Sequence, residues 1–127
     1  MTDRILIVED HPTMREALRL VLEGEDLEIV EAGDGTTALA LARETPPDLV
    51  LLDLHIPGMS GEDVLAALKA DVATRHARVI VVTATGEEGR AKALAVGADA
   101  YFTKPFSPIA LLRAVEQARG GNAPPEA

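Results

Sequence analysis

The sequence predicts a doubly wound α/β fold, with a five-stranded parallel sheet and helices on both of its faces. Two observations predict it: apolar runs of strand length alternate with amphipathic stretches five times, and the central runs are apolar at every position. Unbroken apolar runs are typical of strands covered on both faces, and the alternation implies right-handed crossovers between parallel strands. The 127 residues are enough for one domain with a single core.

The first three strand and helix units follow from apolar runs and from residues that stop helices. Strands are predicted over 5–8, 27–30 and 49–52, with helices that open at 11–13, follow the turn at 33–35 and cover 61–70. Gly24 ends the first helix. Pro46 and Pro47 end the second, because consecutive prolines cannot extend a helix.

The last two units complete the predicted domain. Strands are expected over 79–82 and 100–102, and helices over 87–96, which Gly97 ends, and over 107–119. We therefore expect a domain over 1–120. The remaining residues, 121–127, are rich in Gly, Asn and Pro, so we expect either a flexible tail or the truncated end of a linker.

Composition and charge narrow the class of protein. Only 2% of the residues are aromatic and there is one Tyr, so the core must consist of Val, Ile, Leu and Ala. The absence of Cys excludes disulfides and thiolate chemistry and fits a reducing cytoplasm. A net charge of -9 opposes binding to nucleic acid, and the apolar runs are too short to span a membrane. We expect a cytoplasmic protein that contacts neither DNA nor membrane.

Polar side chains stand at the ends of the predicted strands. Glu9 and Asp10 follow the first strand, Asp53 the third, Thr83 the fourth, and Lys104 comes after the fifth. Parallel strands gather their carboxyl ends at one edge of the sheet, so these groups should meet there as a phosphate and metal site. Taken singly, each has an ordinary alternative: a solvated acidic loop, a turn cap, a strand-end threonine or a surface lysine.

The chemistry of these groups suits phosphate and a hard cation. Adjacent carboxylates at Glu9 and Asp10 repel each other unless a cation lies beside them, and Mg²⁺ prefers oxygen ligands, often carboxylates with a phosphate oxygen. A carboxylate such as Asp53 can also attack phosphorus and form an acyl phosphate. Lys104 precedes Pro105, and a cis bond, found in about one in twenty such pairs, would turn the lysine inward over the sheet edge.

Four parts of the chain together resemble the receiver domain of two-component response regulators. They are residues 5–10, residues 49–54 with 57–61, residues 81–84 and residues 97–106. They occur in the family's order and spacing and cover the chain from about residue 4 to residue 119. The resemblance implies the flavodoxin-like or CheY-like (βα)5 fold.

The resemblance also implies roles for the residues at the strand ends. Asp53 would accept a phosphoryl group from a sensor histidine kinase or a histidine phosphotransfer protein. Asp10, Asp53 and the backbone carbonyl of His55 would bind Mg²⁺ directly, and Glu9 would act mainly through a metal-bound water. Lys104 would bind phosphate oxygens together with the hydroxyl of Thr83.

The resemblance further implies how the signal leaves the site. Thr83 would move toward phosphorylated Asp53 and make room for the ring of Tyr101, which would turn from exposed to buried. This would change the surface formed by the fourth helix, fifth strand and fifth helix, which would contact a downstream protein or a lost effector domain. His55 and Thr85 would flank the path of the water that hydrolyses the acyl phosphate. The protein would not be an enzyme beyond its own phosphorylation and dephosphorylation.

Some features separate this chain from other members and other classes. Family members that pair through charges on the fifth strand and fifth helix carry them where this chain has Ala100, Ala110 and Ala114. We therefore expect no such dimer. The chain is expected to be either a stand-alone receiver or a receiver cut from a larger regulator. An interaction module that does not use phosphorylation remains an alternative. An aspartate-nucleophile phosphohydrolase is disfavoured because His55 replaces its second Asp, and a nucleotide or flavin binder because no Gly-rich loop follows the first strand.

Overall fold

The computed structural model describes residues 3–120, and it contains one sheet flanked by helices. The strands are β1 (Asp3–Val8), β2 (Leu27–Ala32), β3 (Leu49–Leu52), β4 (Arg78–Thr83) and β5 (Ala100–Thr103). The α-helices are α1 (Pro12–Val21), α2 (Gly35–Glu44), α3 (Gly61–Ala70), α4 (Arg90–Val96) and α5 (Pro108–Gly120). The strand order is β2-β1-β3-β4-β5, and all pairings are parallel. The predicted doubly wound fold is confirmed; the predicted tail or linker over 121–127 lies outside the described residues.

Two apolar layers cover the two faces of the sheet, because successive side chains of a strand point to opposite faces. In β1, Ile5 and Ile7 belong to the layer that packs against α1 and α5, whereas Leu6 and Val8 belong to the layer under α2, α3 and α4. All four residues of β3 are buried. This agrees with the prediction that its unbroken apolar run is covered on both sides.

One predicted helix differs from the structure. Instead of a single helix over 87–96, a 3₁₀ turn covers Glu87–Gly89 and α4 begins at Arg90. Neither start carries a side-chain cap, and glycine is a poor helix former, so the first turn is tightened rather than α-helical. The other element ends differ from prediction by two residues or fewer, within the usual range of boundary assignment.

A close approach of α3 to the end of β3 fixes the loop that follows Asp53. A Cβ atom on Gly61 would lie 2.3 Å from the Leu54 Cα atom and 2.7 Å from the Asp53 carbonyl oxygen, so only glycine fits. The preceding residue, Ser60, caps α3 by accepting a hydrogen bond from the Asp63 amide at 3.1 Å. None of the helices within residues 3–120 is both long and apolar enough to cross a lipid bilayer.

Candidate functional site

Backbone hydrogen bonds align the carboxyl ends of the strands at one edge of the sheet. The Asp53 amide donates to the Val8 carbonyl at 3.0 Å, and the Lys104 amide donates to the Thr83 carbonyl at 2.8 Å. Each polar residue therefore continues the ladder of the strand beside it. The sheet brings the predicted site residues to a common edge, as expected for parallel strands.

Lys104 joins two buried carboxylates at this edge. Its Nζ atom lies 2.8 Å from Glu9 Oε1 and 3.0 Å from Asp53 Oδ2. The side chains of Glu9 and Asp53 are 0% and 3% exposed. Residues separated by 95 and 51 positions along the chain thus form one charge-assisted network.

The ammonium group of Lys104 remains protonated at neutral pH. Burial alone would lower the pKa of Lys104, but its hydrogen bonds and charge interactions with Glu9 and Asp53 outweigh burial and raise the pKa above the ordinary value of 10.5. The Lys104-Pro105 peptide bond is cis, which is the isomer considered in the sequence analysis for a lysine that points inward.

Further contacts hold the other oxygens of the two carboxylates. The His55 amide donates to Asp53 Oδ1 at 3.0 Å, and the His11 amide donates to Glu9 Oε2 at 3.3 Å. Arg15 Nη1 donates to the Glu9 carbonyl oxygen at 2.9 Å. Both carboxylates are therefore held in fixed orientations. A reaction at a defined position requires such orientation of the reacting groups.

Asp10 differs from its neighbours because one of its oxygens is buried and has no hydrogen bond. Among the described residues, Asp10 Oδ1 is the buried side-chain atom without a hydrogen-bond partner. It lies 3.1 Å from His11 Nδ1, close enough for an ion pair if the imidazole is protonated, but without hydrogen-bond geometry. An orphaned carboxylate oxygen beside buried acids is a donor that suits a hard cation, so the residues fit Mg²⁺.

An open cleft gives access to this carboxylate. It has a volume of about 560 Å³ and is lined by Asp10, by the loop from Leu54 to Gly58, and by Ser60 and Glu62. Candidate ligand atoms of Glu9, Asp10 and His11 all lie within 4.8 Å of one another. The sequence predicts His11 only as part of the turn that opens α1, whereas in the structure its Nδ1 atom contacts both acids. Its position next to them in sequence is the one signal for this contact.

Comparison with known proteins identifies the family. Residues 5–116 match the family described as the response regulator receiver domain. The chain belongs to this family. This confirms the resemblance of the sequence to receivers of two-component systems and gives the site geometry a family context.

The receiver has relatives among both curated proteins and solved structures. It is 44% identical over 117 residues to the phosphate regulon transcriptional regulatory protein PhoB of Klebsiella pneumoniae, covering 91% of this chain and 51% of that protein. The chain thus spans about half the length of this relative. A putative response regulator from Chloroflexus aurantiacus is 30% identical, with a TM-score of 0.86 and coverage of 93% and 98%. The Mn²⁺-bound form of response regulator Rcp1 is 25% identical, with a TM-score of 0.82 and coverage of 96% and 99%.

Three residues predicted to lie near Asp53, namely Thr83, His55 and Thr85, form a second network in the receiver. Thr83 is fully buried at the end of β4 rather than after it, and its Oγ1 atom accepts a hydrogen bond from the Thr85 amide at 3.3 Å. His55 Nε2 is hydrogen-bonded to Thr85 Oγ1. His55 and Thr85, each predicted to flank the water path, are therefore in direct contact with each other.

The resemblance implies an exposed and a buried position for the ring of Tyr101, and in the structure the ring is in the buried position. The residue is 4% exposed, and its hydroxyl lies within hydrogen-bond distance of the Thr85 and Gly86 carbonyl oxygens, at 3.1 and 2.9 Å. Burial, followed by the charges of Glu88 and Glu87, raises the pKa of Tyr101 above 10.0. Tyr101 is a residue of β5, and its ring packs under the start of α4.

Proposed function

We propose that this receiver is a phosphorylation-activated switch in which Asp53 is the phosphoacceptor. The observation that carries the proposal is the Lys104 ammonium group, which is held between the buried carboxylates of Glu9 and Asp53. Phosphoryl transfer depends on positioning and on neutralisation of charge, and a fixed cation beside an oriented carboxylate supplies both.

The proposed reaction forms one bond and breaks one. A carboxylate oxygen of Asp53 attacks the phosphorus of a phosphohistidine on a sensor kinase or a histidine phosphotransfer protein. The P–N bond breaks, its electron pair stays on the imidazole, and an acyl phosphate forms. Lys104 and the Thr83 hydroxyl stabilise phosphate oxygens, and hydrolysis later restores the carboxylate and releases phosphate. The protein acts on itself and turns over no other substrate in this scheme.

Mg²⁺ is the cofactor that the residues suit. Asp10, Asp53 and the backbone carbonyl of His55 would hold the ion, with Glu9 in support. When bound, Mg²⁺ neutralises charge on the transferred phosphoryl group. The buried Asp10 Oδ1 atom, which has no hydrogen-bond partner, supports this assignment, as does the Mn²⁺-bound form of the related Rcp1.

The output of the switch would be the surface of α4, β5 and α5. Thr83 and Tyr101 lie beneath it, and Leu94 and Ile109 are 42% and 64% exposed upon it, so it offers apolar area to a downstream protein or an effector domain. Positions 100, 110 and 114 carry only alanine, which argues against a dimer paired by charge. We place the receiver in the cytoplasm and assign it no direct contact with DNA or membrane.

Incubation with acetyl phosphate and Mg²⁺, followed by intact mass measurement, tests the proposal. The wild-type protein should gain the mass of one phosphoryl group, the Asp53→Asn variant should gain none, and Asp63→Asn, an exposed acid on α3, should behave like the wild type. An unlabelled wild-type protein would instead support an interaction module that does not use phosphorylation. Labelling of the Asn variant would place the acceptor elsewhere.

A further inference from the structure

Gly89 lies against the hydroxyl group of Tyr101 with no room for a side chain. A Cβ atom on Gly89 would be 2.6 Å from Tyr101 Oη and 2.9 Å from Thr85 Cγ2. The backbone of Gly89 has φ -86° and ψ -10°, a conformation that any L-residue adopts. Its neighbours, and not its backbone, therefore require a glycine.

The turn that contains Gly89 contacts both the hydroxyl and the ring of Tyr101. The Tyr101 hydroxyl meets the Thr85 and Gly86 carbonyl oxygens at 3.1 and 2.9 Å, and the Arg90 guanidinium lies 5.1 Å from the ring centroid. Glu87 holds that guanidinium through two hydrogen bonds of 2.6 and 3.0 Å. We name this group of residues, Thr85 to Arg90, the tyrosine receptacle.

We propose that Gly89 is a positioning residue for Tyr101: the space left by its missing side chain admits the hydroxyl and sets the balance between the inward and outward positions of the ring. While it is bonded to the Thr85 and Gly86 carbonyl oxygens, the hydroxyl lies 2.6 Å from where a Gly89 Cβ atom would stand, so a methyl group there would displace the hydroxyl from them. That this balance carries a signal rests on the proposed function, whereas the balance itself can be measured without phosphorylation.

The fluorescence of Tyr101 reports its position directly, because the chain has one Tyr and no Trp. In Gly89→Ala, the acrylamide quenching constant should rise from the wild-type value toward that of free N-acetyltyrosinamide. Gly86→Ala is the matched control, since its added Cβ would meet only the Glu88 side chain, which can move aside. An unchanged quenching constant in folded Gly89→Ala would overturn the proposal.

Two further variants identify the atom with which the new methyl group collides. Removing the Tyr101 hydroxyl in Tyr101→Phe leaves the ring Cζ atom, 3.5 Å from the added Cβ, as an ordinary contact. Gly89→Ala should therefore lower the thermal unfolding midpoint by about 4 °C in the Tyr101 background and by clearly less in the Phe background. If adding Thr85→Ser to Gly89→Ala restores the burial of Tyr101, the new methyl group collides with the Thr85 methyl group and not with the tyrosine hydroxyl. The proposal then fails.

Phosphorylation separates this inference from the proposed function. Gly89→Ala should gain label from acetyl phosphate as the wild type does, because Gly89 does not touch Asp53, but the labelled variant should keep an accessible tyrosine. Absence of label in both proteins would defeat the proposed function and leave the difference in tyrosine quenching intact. Equal tyrosine burial in both labelled proteins would defeat the role of Gly89.

Discussion

The two halves of the carboxyl edge of this receiver are held by different forces. Between β1 and β3, the Lys104 ammonium bridges Glu9 and Asp53, both almost inaccessible to solvent. Beside β4, Tyr101 is held by neutral hydrogen bonds to two carbonyl oxygens and by contact with Arg90. Charge-assisted hydrogen bonds are roughly twice as strong as neutral ones, so the first half is the firmer frame. A site in which firmly held carboxylates lie next to a less firmly held tyrosine ring suits a conformational switch.

The largest effect is expected where the firm half is broken. Lys104→Met leaves two buried carboxylates without their cation, which should cost about 3 kcal/mol of unfolding free energy. Urea unfolding at neutral pH with a chelator present measures this loss. Chelation is needed because a divalent cation could replace the missing ammonium.

Lys69→Met is the matched control for this loss. Lys69 donates a hydrogen bond to the Ala77 carbonyl at 2.7 Å and forms an ion pair with Asp99 at 3.5 Å, but this carboxylate partner is 31% exposed. A partly exposed pair contributes about 1 kcal/mol or less. Equal losses in the two variants would show that burial of Glu9 and Asp53 does not distinguish the two lysines.

The next effect concerns the Asp10 oxygen that has no hydrogen bond. If Asp10 is a direct Mg²⁺ ligand, Asp10→Asn should weaken binding by at least about 10-fold, the lower figure for loss of even an outer-shell partner. The rise of the unfolding midpoint with Mg²⁺ concentration reports the affinity. Glu16→Gln, an exposed acid on α1, should leave the titration unchanged. An unaltered titration in Asp10→Asn would remove Asp10 from the metal site.

The sequence predicts residues of both halves, but it predicts mutual contacts only for the firm half. The meeting of Glu9, Asp53 and Lys104 was predictable because parallel strands in register bring their ends to one edge. The 3₁₀ turn, the contact of His55 with Thr85 and the fit of Gly89 to the tyrosine were not. They depend on the path of a loop, which has no periodicity, and on distances of a few tenths of an ångström that only packing determines.

The third prediction concerns the contact between the two halves. His55 Nε2 is hydrogen-bonded to Thr85 Oγ1, so if Asp53 is phosphorylated as proposed, we expect His55→Ala to admit water to the acyl phosphate and to shorten its lifetime several-fold. Loss of label after removal of acetyl phosphate, followed by mass, measures the lifetime. His76→Ala, an exposed histidine before β4, is the control. An unchanged lifetime in His55→Ala would exclude the ring as a shield.

The smallest effect is the titration of the weaker half. Burial and the nearby Glu88 and Glu87 raise the pKa of Tyr101, so the tyrosinate absorbance of the folded protein should reach its midpoint above 10.0, the ordinary value expected in urea. Because the folded pKa is the higher one, this contribution to stability is fully present below pH 10.0 and is lost as the pH rises through the folded midpoint.

Glu88→Gln tests the cause of that shift. Loss of the carboxylate removes one repulsion from the tyrosinate, so the folded midpoint should fall by a small amount, whereas Glu62→Gln, whose charge acts most weakly on the ring, should change it least. Burial is the main cause of the raised pKa, so most of the shift should survive in both variants. A midpoint that returns to the unfolded value in Glu88→Gln would mean that charge, and not the receptacle, controls the ionisation of Tyr101. The weaker half would then also be held mainly by electrostatics, and the contrast between the two halves would disappear.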